Sequence, residues 1–176
     1  LPQRLEEIVD IPKADELANA KKLKELLGQT KAFTRDEFSK LLFKCHNIIR
    51  NNDKLSPEAA FDEISKVLFM KIRYERNPNG DNIFSLKQFK SEENHYENVI
   101  RPVNVKRFGP KEDIPYMDYW FELTKDEFDK DNLFDPNETI KIKQASFEAI
   151  VKELEIYNLS RTADDVKGIA FEKFLG

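Results

Sequence analysis

Two helix-start signals close together constrain this chain more than any other feature of its sequence. Thr34-Arg35-Asp36-Glu37 is a capping box: the threonine side chain can accept from the N3 amide while the glutamate reaches back to the cap amide. Phe38, Leu41, Leu42, Cys45, Ile48 and Ile49 follow at the i, i+3, i+4, i+7 spacing of one buried helix face. Asn51-Asn52-Asp53 ends that pattern, and a second start comes at once, with Ser56 as N-cap, Pro57 at the first helical position and Glu58 in the first turn. Phe61, Ile64, Leu68 and Ile72 form the inner stripe of the second helix. So short a connection predicts a helical hairpin with the two stripes facing each other.

The hairpin cannot satisfy itself. Val67, Phe69, Met70 and Tyr74 widen the apolar surface of the second helix beyond one stripe, and Phe43 projects nearly opposite the stripe of the first. Helices apolar on more than one side need neighbours on more than one side. Either later helices of the same chain cover these positions, or Phe43, Phe69, Met70 and Tyr74 form a docking surface for another domain or subunit.

The rest of the chain reads unevenly. Residues 1–30 hold an amphipathic stretch from Ala14 to Leu27, ended by Gly28, that reads as a linker or upstream helix, leaving 31–176 as the main helical domain. Asn77 to Asp81 is a turn. Between Ile83 and Asp113 no period emerges; Val99 to Phe108 admits a short strand or loop, with Pro102 opposing a central strand. Asp113 to Thr124 reads as a helix with Pro115 in its first turn and Tyr116, Tyr119, Trp120 and Leu123 on one face. An acidic linker from Asp126 to Glu138 precedes a helix over Ser146 to Tyr157, with Phe147, Ile150, Val151 and Leu154 inward. Thr162 caps a last helix bearing Val166, Ile169, Ala170 and Phe174. The expected fold is mainly α, a bundle of five to six helices with an irregular, partly β-compatible segment around 83–112.

Composition narrows the function classes. With 176 residues, 40% hydrophobic and 35% charged, the chain is long enough for a core and too apolar for disorder. A single cysteine excludes a disulfide framework and a zinc site built on cysteine pairs, which favours a cytoplasmic location. No apolar run approaches a membrane span. Five glycines cannot make GxGxxG or GxxxxGK[ST], so phosphate-cradling loops of those kinds are absent. An EF-hand starting at Asp129 fails, because Leu133 and Phe134 stand where an oxygen ligand and a glycine are required. Cys45 belongs to the apolar stripe and diverges from His46; His95 lies in a polar stretch. Asp62, Glu63 and Lys66 read as surface or semi-buried ion pairing. No self-contained active site emerges. Charge is uneven: residues 1–111 hold 21 basic and 17 acidic side chains, residues 112–176 hold 8 and 16.

Three stretches carry a family resemblance. Phe33 to Asn52 (FTRDEFSKLLFKCHNIIRNN), Ser56 to Arg76 (SPEAAFDEISKVLFMKIRYER) and Leu159 to Gly176 (LSRTADDVKGIAFEKFLG) resemble the amino-terminal helical domain of type I restriction–modification DNA methyltransferases and their single-chain relatives. The most specific signatures are Ala60-Phe61-Asp62-Glu63 with Lys66, Leu68-Phe69 and Lys71, then Lys167-Gly168 with Ala170-Phe171-Glu172 and Phe174-Leu175. With a looser match over Asp113 to Gly176, the resemblance spans about two thirds of the chain. Members of that family transfer a methyl group from S-adenosylmethionine to N6 of a flipped-out adenine. Their Asn-Pro-Pro-aromatic motif and cofactor loop are not in this sequence; Asn77-Pro78-Asn79-Gly80 departs from the motif after two residues.

The resemblance implies a chain inert by itself, with no cofactor of its own and S-adenosylmethionine bound by the full-length protein. Its implied partners are a catalytic domain, a specificity subunit or domain, and DNA. Lys40 and Lys44, on the outer side of the first helix, with Arg50 and Lys54 nearby, form a modest basic patch for phosphate contacts that position DNA without reading it. A free-standing helical protein–protein adaptor with no DNA role is the alternative, favoured by the acidic second part. Leu1 and Gly176 read as internal to a longer protein. The sequence following Gly176 is expected to carry the cofactor loop and the Asn-Pro-Pro-aromatic motif, which translating the longer reading frame checks.

Overall fold

A computed structural model describes residues 34–76 and 84–159. They form α1 (Arg35–Asp53), α2 (Pro57–Glu75), α3 (Leu86–His95), α4 (Arg101–Phe108), α5 (Tyr116–Glu127) and α6 (Gln144–Leu154). A π turn over Tyr96–Ile100 joins α3 to α4, and no strand occurs among the described residues. The mainly helical bundle is as expected. The expected helices at 14–27 and beyond Thr162, and the Asn77–Asp81 turn, lie outside the described residues.

Both start signals act as read. Thr34 Oγ1 accepts from the Glu37 amide at 3.2 Å while Glu37 reaches back to the Thr34 amide, and Ser56 caps α2 ahead of Pro57. The stripes meet: Phe38, Leu41, Leu42, Cys45 and Ile49 on α1 are buried with Ala60, Ile64 and Leu68 on α2. α2 is the central helix, packed against α1, α5 and α6. Its buried positions therefore run around most of the helix, and Val67, Met70 and Tyr74 belong to the core. Phe147, Ile150, Val151 and Leu154 of α6 point inward as expected.

The described part of residues 83–112 departs from expectation: from Leu86 to Phe108 it is helical, not a strand or loop. The segment shows little period because Phe89 and Tyr96 are its two buried side chains within α3 and the π turn, and α4 buries none. Side-chain pairs one turn apart support it instead: Gln88 to Glu92 at 2.7 Å, Asn98 to Asn94 at 2.9 Å and Arg101 to Glu97 at 2.6 Å. Pro102, which opposes a central strand, sits in the first turn of α4. In an unbroken α-helix its ring would press on the Asn98 carbonyl. Here the ladder widens just upstream, where the Arg101 amide donates to the carbonyl of Tyr96.

The helix over Asp113–Thr124 starts later, at Tyr116, with Pro115 as its N-cap. Its buried face is rotated from the expected one: Tyr116, Met117, Trp120, Phe121 and Thr124 are buried, whereas Tyr119 and Leu123 are half-buried. Part of the acidic linker is ordered as the end of α5 and a short 3-10 turn at Asp129–Asp131.

Five acidic side chains of the described residues tie distant segments together by accepting main-chain amides, one of them Glu75, which accepts from Leu159 at 2.9 Å. Glu63 accepts from Lys141 at 2.5 Å and Ile142 at 3.0 Å. Asp53 accepts from Lys143 at 2.7 Å and from the Ser146 hydroxyl at 2.6 Å, capping α6 from the end of α1. Glu97 accepts from Tyr116 at the start of α5, and Glu155 from Leu86 at the start of α3. Glu63 is also paired with Lys66, and the pair is buried, 1% and 2% exposed, contrary to the surface or semi-buried reading. Asp62 is exposed. Lys66 Nζ further donates to the Thr139 carbonyl at 2.8 Å and lies 3.6 Å from Glu138.

A second polar cluster sits among the aromatic rings. Glu92 accepts from Tyr74, from Tyr116 at 2.5 Å and from Gln88, and Trp120 Nε1 donates to the Tyr116 hydroxyl at 2.7 Å. Burial by itself would raise the Glu92 pKa. The donors of Tyr116, Tyr74, Gln88 and Trp120 outweigh it and hold the carboxyl below the ordinary glutamate range.

Two predictions follow from these ties. Glu63→Leu leaves the Lys66 ammonium and two amides without their acceptor and should cost about 3–5 kcal/mol in urea unfolding. Glu63→Gln keeps an acceptor and should cost clearly less; equal losses would mean that the carboxylate does not hold residues 139–142. Because the Glu92 pKa is depressed on folding, its stabilisation is complete above about pH 4.3, the ordinary glutamate value, and is lost as pH falls through the lower folded value. Glu92→Gln should therefore flatten the acid limb of a stability–pH curve below about pH 4.3, and an unchanged limb would overturn the assignment.

Candidate functional site

The outer face of α1 and the residue that closes it carry the basic residues expected to meet phosphate. Lys40, Lys44, Arg50 and Lys54 are all exposed, and Lys54 holds the left-handed position (φ 56°) that closes the helix. Helical spacing places Phe43, Asn47 and Arg50 in one row, with Lys40 and Lys44 in the row beside it. Lys44 pairs with Glu153 of α6 at 3.0 Å; Lys40, Arg50 and Lys54 make no ion pair among the described residues. A shallow groove of about 230 Å³ runs alongside, lined by Lys40, Lys44, Glu153 and Ile156.

The apolar docking residues divide. Phe43 is 68% exposed, as its position opposite the stripe demands. Met70 (1% exposed) and Tyr74 (5%) are buried, so neither contributes to a surface. Phe69 is half-buried against the rings of Phe128 and Phe134, 5.2 and 5.5 Å away. The reason is the central place of α2: α5, the turn after it and α6 cover the faces that the hairpin leaves open. Of the four, Phe43 is the residue left to meet a partner.

Beneath Phe43 lies an imidazole. His46 is buried, stacked on Phe61 with centroids 4.5 Å apart, and Phe43 is 6.4 Å away. Burial lowers its pKa and the Arg50 guanidinium adds to that, so the ring is neutral at pH 7. Its Nε2 has no hydrogen-bond partner among the described residues.

The same environment disfavours nucleophilic or acid–base chemistry. Burial, aided by Glu153, pushes the Cys45 thiol up to about 12, so the thiolate is scarce. Burial lowers the pKa of Lys71, but the residue is 2% exposed, paired with Glu75 at 3.1 Å and set against the Phe84 ring at 4.8 Å. No group of three or more His, Cys, Asp or Glu among the described residues is placed to hold one metal ion. No described helix is long and apolar enough to cross a membrane.

Sequence reading missed a second concavity. A cleft of about 630 Å³ opens between the end of α4, the outer face of α5 and residues 139–140. Phe108, 57% exposed, stands at its edge, and Asp118, Glu122 and Asp126 line it from one side of α5. The i, i+4, i+8 spacing of these acids was visible in the sequence, but their common cleft depends on where α4 ends.

The division among the apolar residues is testable by stability. Phe43→Ala should change unfolding free energy by less than about 0.5 kcal/mol, the usual range for a surface position. Met70→Ala should cost about 2–5 kcal/mol as a core truncation. Comparable losses would contradict the packing of α2. Comparison of the chain with protein-family models, curated proteins and solved structures returned no match.

Proposed function

We propose that this chain is the non-catalytic helical domain of an S-adenosylmethionine-dependent DNA adenine-N6 methyltransferase of a type I-like restriction–modification system. In this reading it packs on the catalytic domain, assembles with a specificity subunit or domain, and helps to enclose DNA. The sequence resemblance supplies the family. The observation that supports the DNA role is the exposed face and end of α1, where Lys40, Arg50 and Lys54 are exposed and make no ion pair among the described residues. Cations held on a rigid helix suit phosphate contacts, which position a duplex without specifying sequence. The cofactor and the reacting groups belong to the catalytic domain.

A protein–protein adaptor with no DNA role is the second reading. The 68% exposure of Phe43 and the excess of acids in residues 112–176, 16 against 8 basic, favour it.

Salt dependence separates the two. Three phosphate contacts predict a slope near −2.7 in a plot of log K against log salt for duplex binding, on the basis of about −0.9 per contact. Lys40→Glu with Arg50→Glu should remove most of that slope while leaving the melting temperature unchanged. Duplex binding below 100 mM salt that is absent, or indifferent to the charge reversals, would eliminate the DNA role and leave the adaptor.

A further inference from the structure

We propose that the exposed side of the helical rod made by α3, the π turn and α4 is a second DNA contact surface, one that lies along the major groove of a duplex. The inference rests on the DNA role given above and adds a surface separate from α1. Residues 86–108 run as one helical rod, about 34 Å long at 1.5 Å per residue. Its covered positions recur as adjacent pairs at 88–89, 92–93, 96–97, 100–101 and 104–105. In an unbroken α-helix a four-residue repeat drifts by about 40° each time, and the extra residue taken up by the π turn reverses much of that drift. One side of the rod is therefore covered by the rest of the chain, and the other is exposed along its length.

The exposed side carries no acid. Glu92, Glu93 and Glu97 all fall on the covered side. There Glu92 meets Tyr74 and Tyr116, Glu93 meets Gln144 at 2.7 Å, and Glu97 meets Arg101 at 2.6 Å. The chain holds more acids than bases, 33 against 29, so composition by itself would not clear a face of this length. Cations stand near the two ends: Lys87 at the start, Lys106 and Arg107 at the finish. None of these three makes an ion pair among the described residues, whereas Lys90 is paired with Glu93 and Glu148. Lys87 lies in the first turn of α3, where the helix dipole disfavours a cation, so helix stability does not account for it.

Between the cations stand Asn94, Asn98, Val99 and Val103, with His95 beside them. A groove walled by phosphates and floored by base edges fits that order. The major groove is about 12 Å wide and admits an α-helix. Asn98 Nδ2 donates to Asn94 Oδ1 at 2.9 Å, which leaves the Asn94 amide group as a donor and the Asn98 oxygen as an acceptor without further partners among the described residues. Base edges supply both, and thymine supplies a methyl group to meet Val99 and Val103, 50% and 49% exposed. A protein partner would need larger anchors, because interface hot spots are built on big buried side chains and this stretch offers two valines and Pro102.

Duplex binding by the full chain, followed by fluorescence anisotropy over a salt series, tests the surface, with dimethyl sulfate probing guanine N7 in the major groove. The expected result is protection of N7 in the complex. Lys106→Ala with Arg107→Ala should make the slope of log K against log salt shallower by about 1.8, from about 0.9 per phosphate contact, at an unchanged melting temperature. Lys87→Ala should remove about half as much, and Asn98→Ala should reduce N7 protection while leaving the slope in place. Fully reactive N7 in the complex, or a slope indifferent to the substitutions at 87, 106 and 107, would overturn this inference. If reversal of Lys40 and Arg50 still abolished binding in that case, the DNA role of α1 would stand without it. Absence of duplex binding would remove both. A glutamate-rich helical peptide that binds the rod more tightly than the duplex would also overturn the inference, marking a protein site instead.

Discussion

Taking a carboxylate and an ammonium out of water costs several kcal/mol per ion, and the cost is offset when every polar atom of the pair finds a partner. α2 buries such a pair, Glu63 and Lys66, and uses it to hold residues 138–142. One carboxylate oxygen takes two consecutive amides while the other meets the ammonium, which also reaches the Thr139 carbonyl. This contact fixes the segment that leads into α6. The placement of α6 then decides what covers α1 and α2, since it packs on both.

The same device recurs at lower cost. Asp53, Glu97 and Glu155 each accept an amide at or beside the start of a helix far away in sequence. A carboxylate there satisfies an orphan donor and faces the positive end of the helix dipole. Such contacts orient helices whose apolar stripes alone would tolerate rotation. Together with Glu92, which gathers the hydroxyls of Tyr74 and Tyr116 amid the aromatic core, they help hold the described helices together despite their many charges. Many of its acids are structural.

The uneven charge of the sequence becomes two separated surfaces. α1 exposes Phe43 along with Lys40, Lys44 and Arg50; on α5, a row of acids borders a cleft. The first surface is positive in potential and the second negative.

The sequence by itself determined the capping box at Thr34, the Ser56-Pro57 start, the hairpin they delimit, and the inward stripes of α1 and α6. Caps and periodicity are set by residues within one or two turns of one another, so they can be read along the chain. Exposure of Phe43 was equally local, following from its angle on α1. Tertiary structure decided that Met70 and Tyr74 are core, that Phe69 is partly covered, and that the Glu63–Lys66 pair is buried. It also decided that 86–108 is helical and that the acids of α5 share a cleft. Burial of a side chain depends on what arrives from elsewhere in the chain, and periodicity along one helix carries no record of those arrivals.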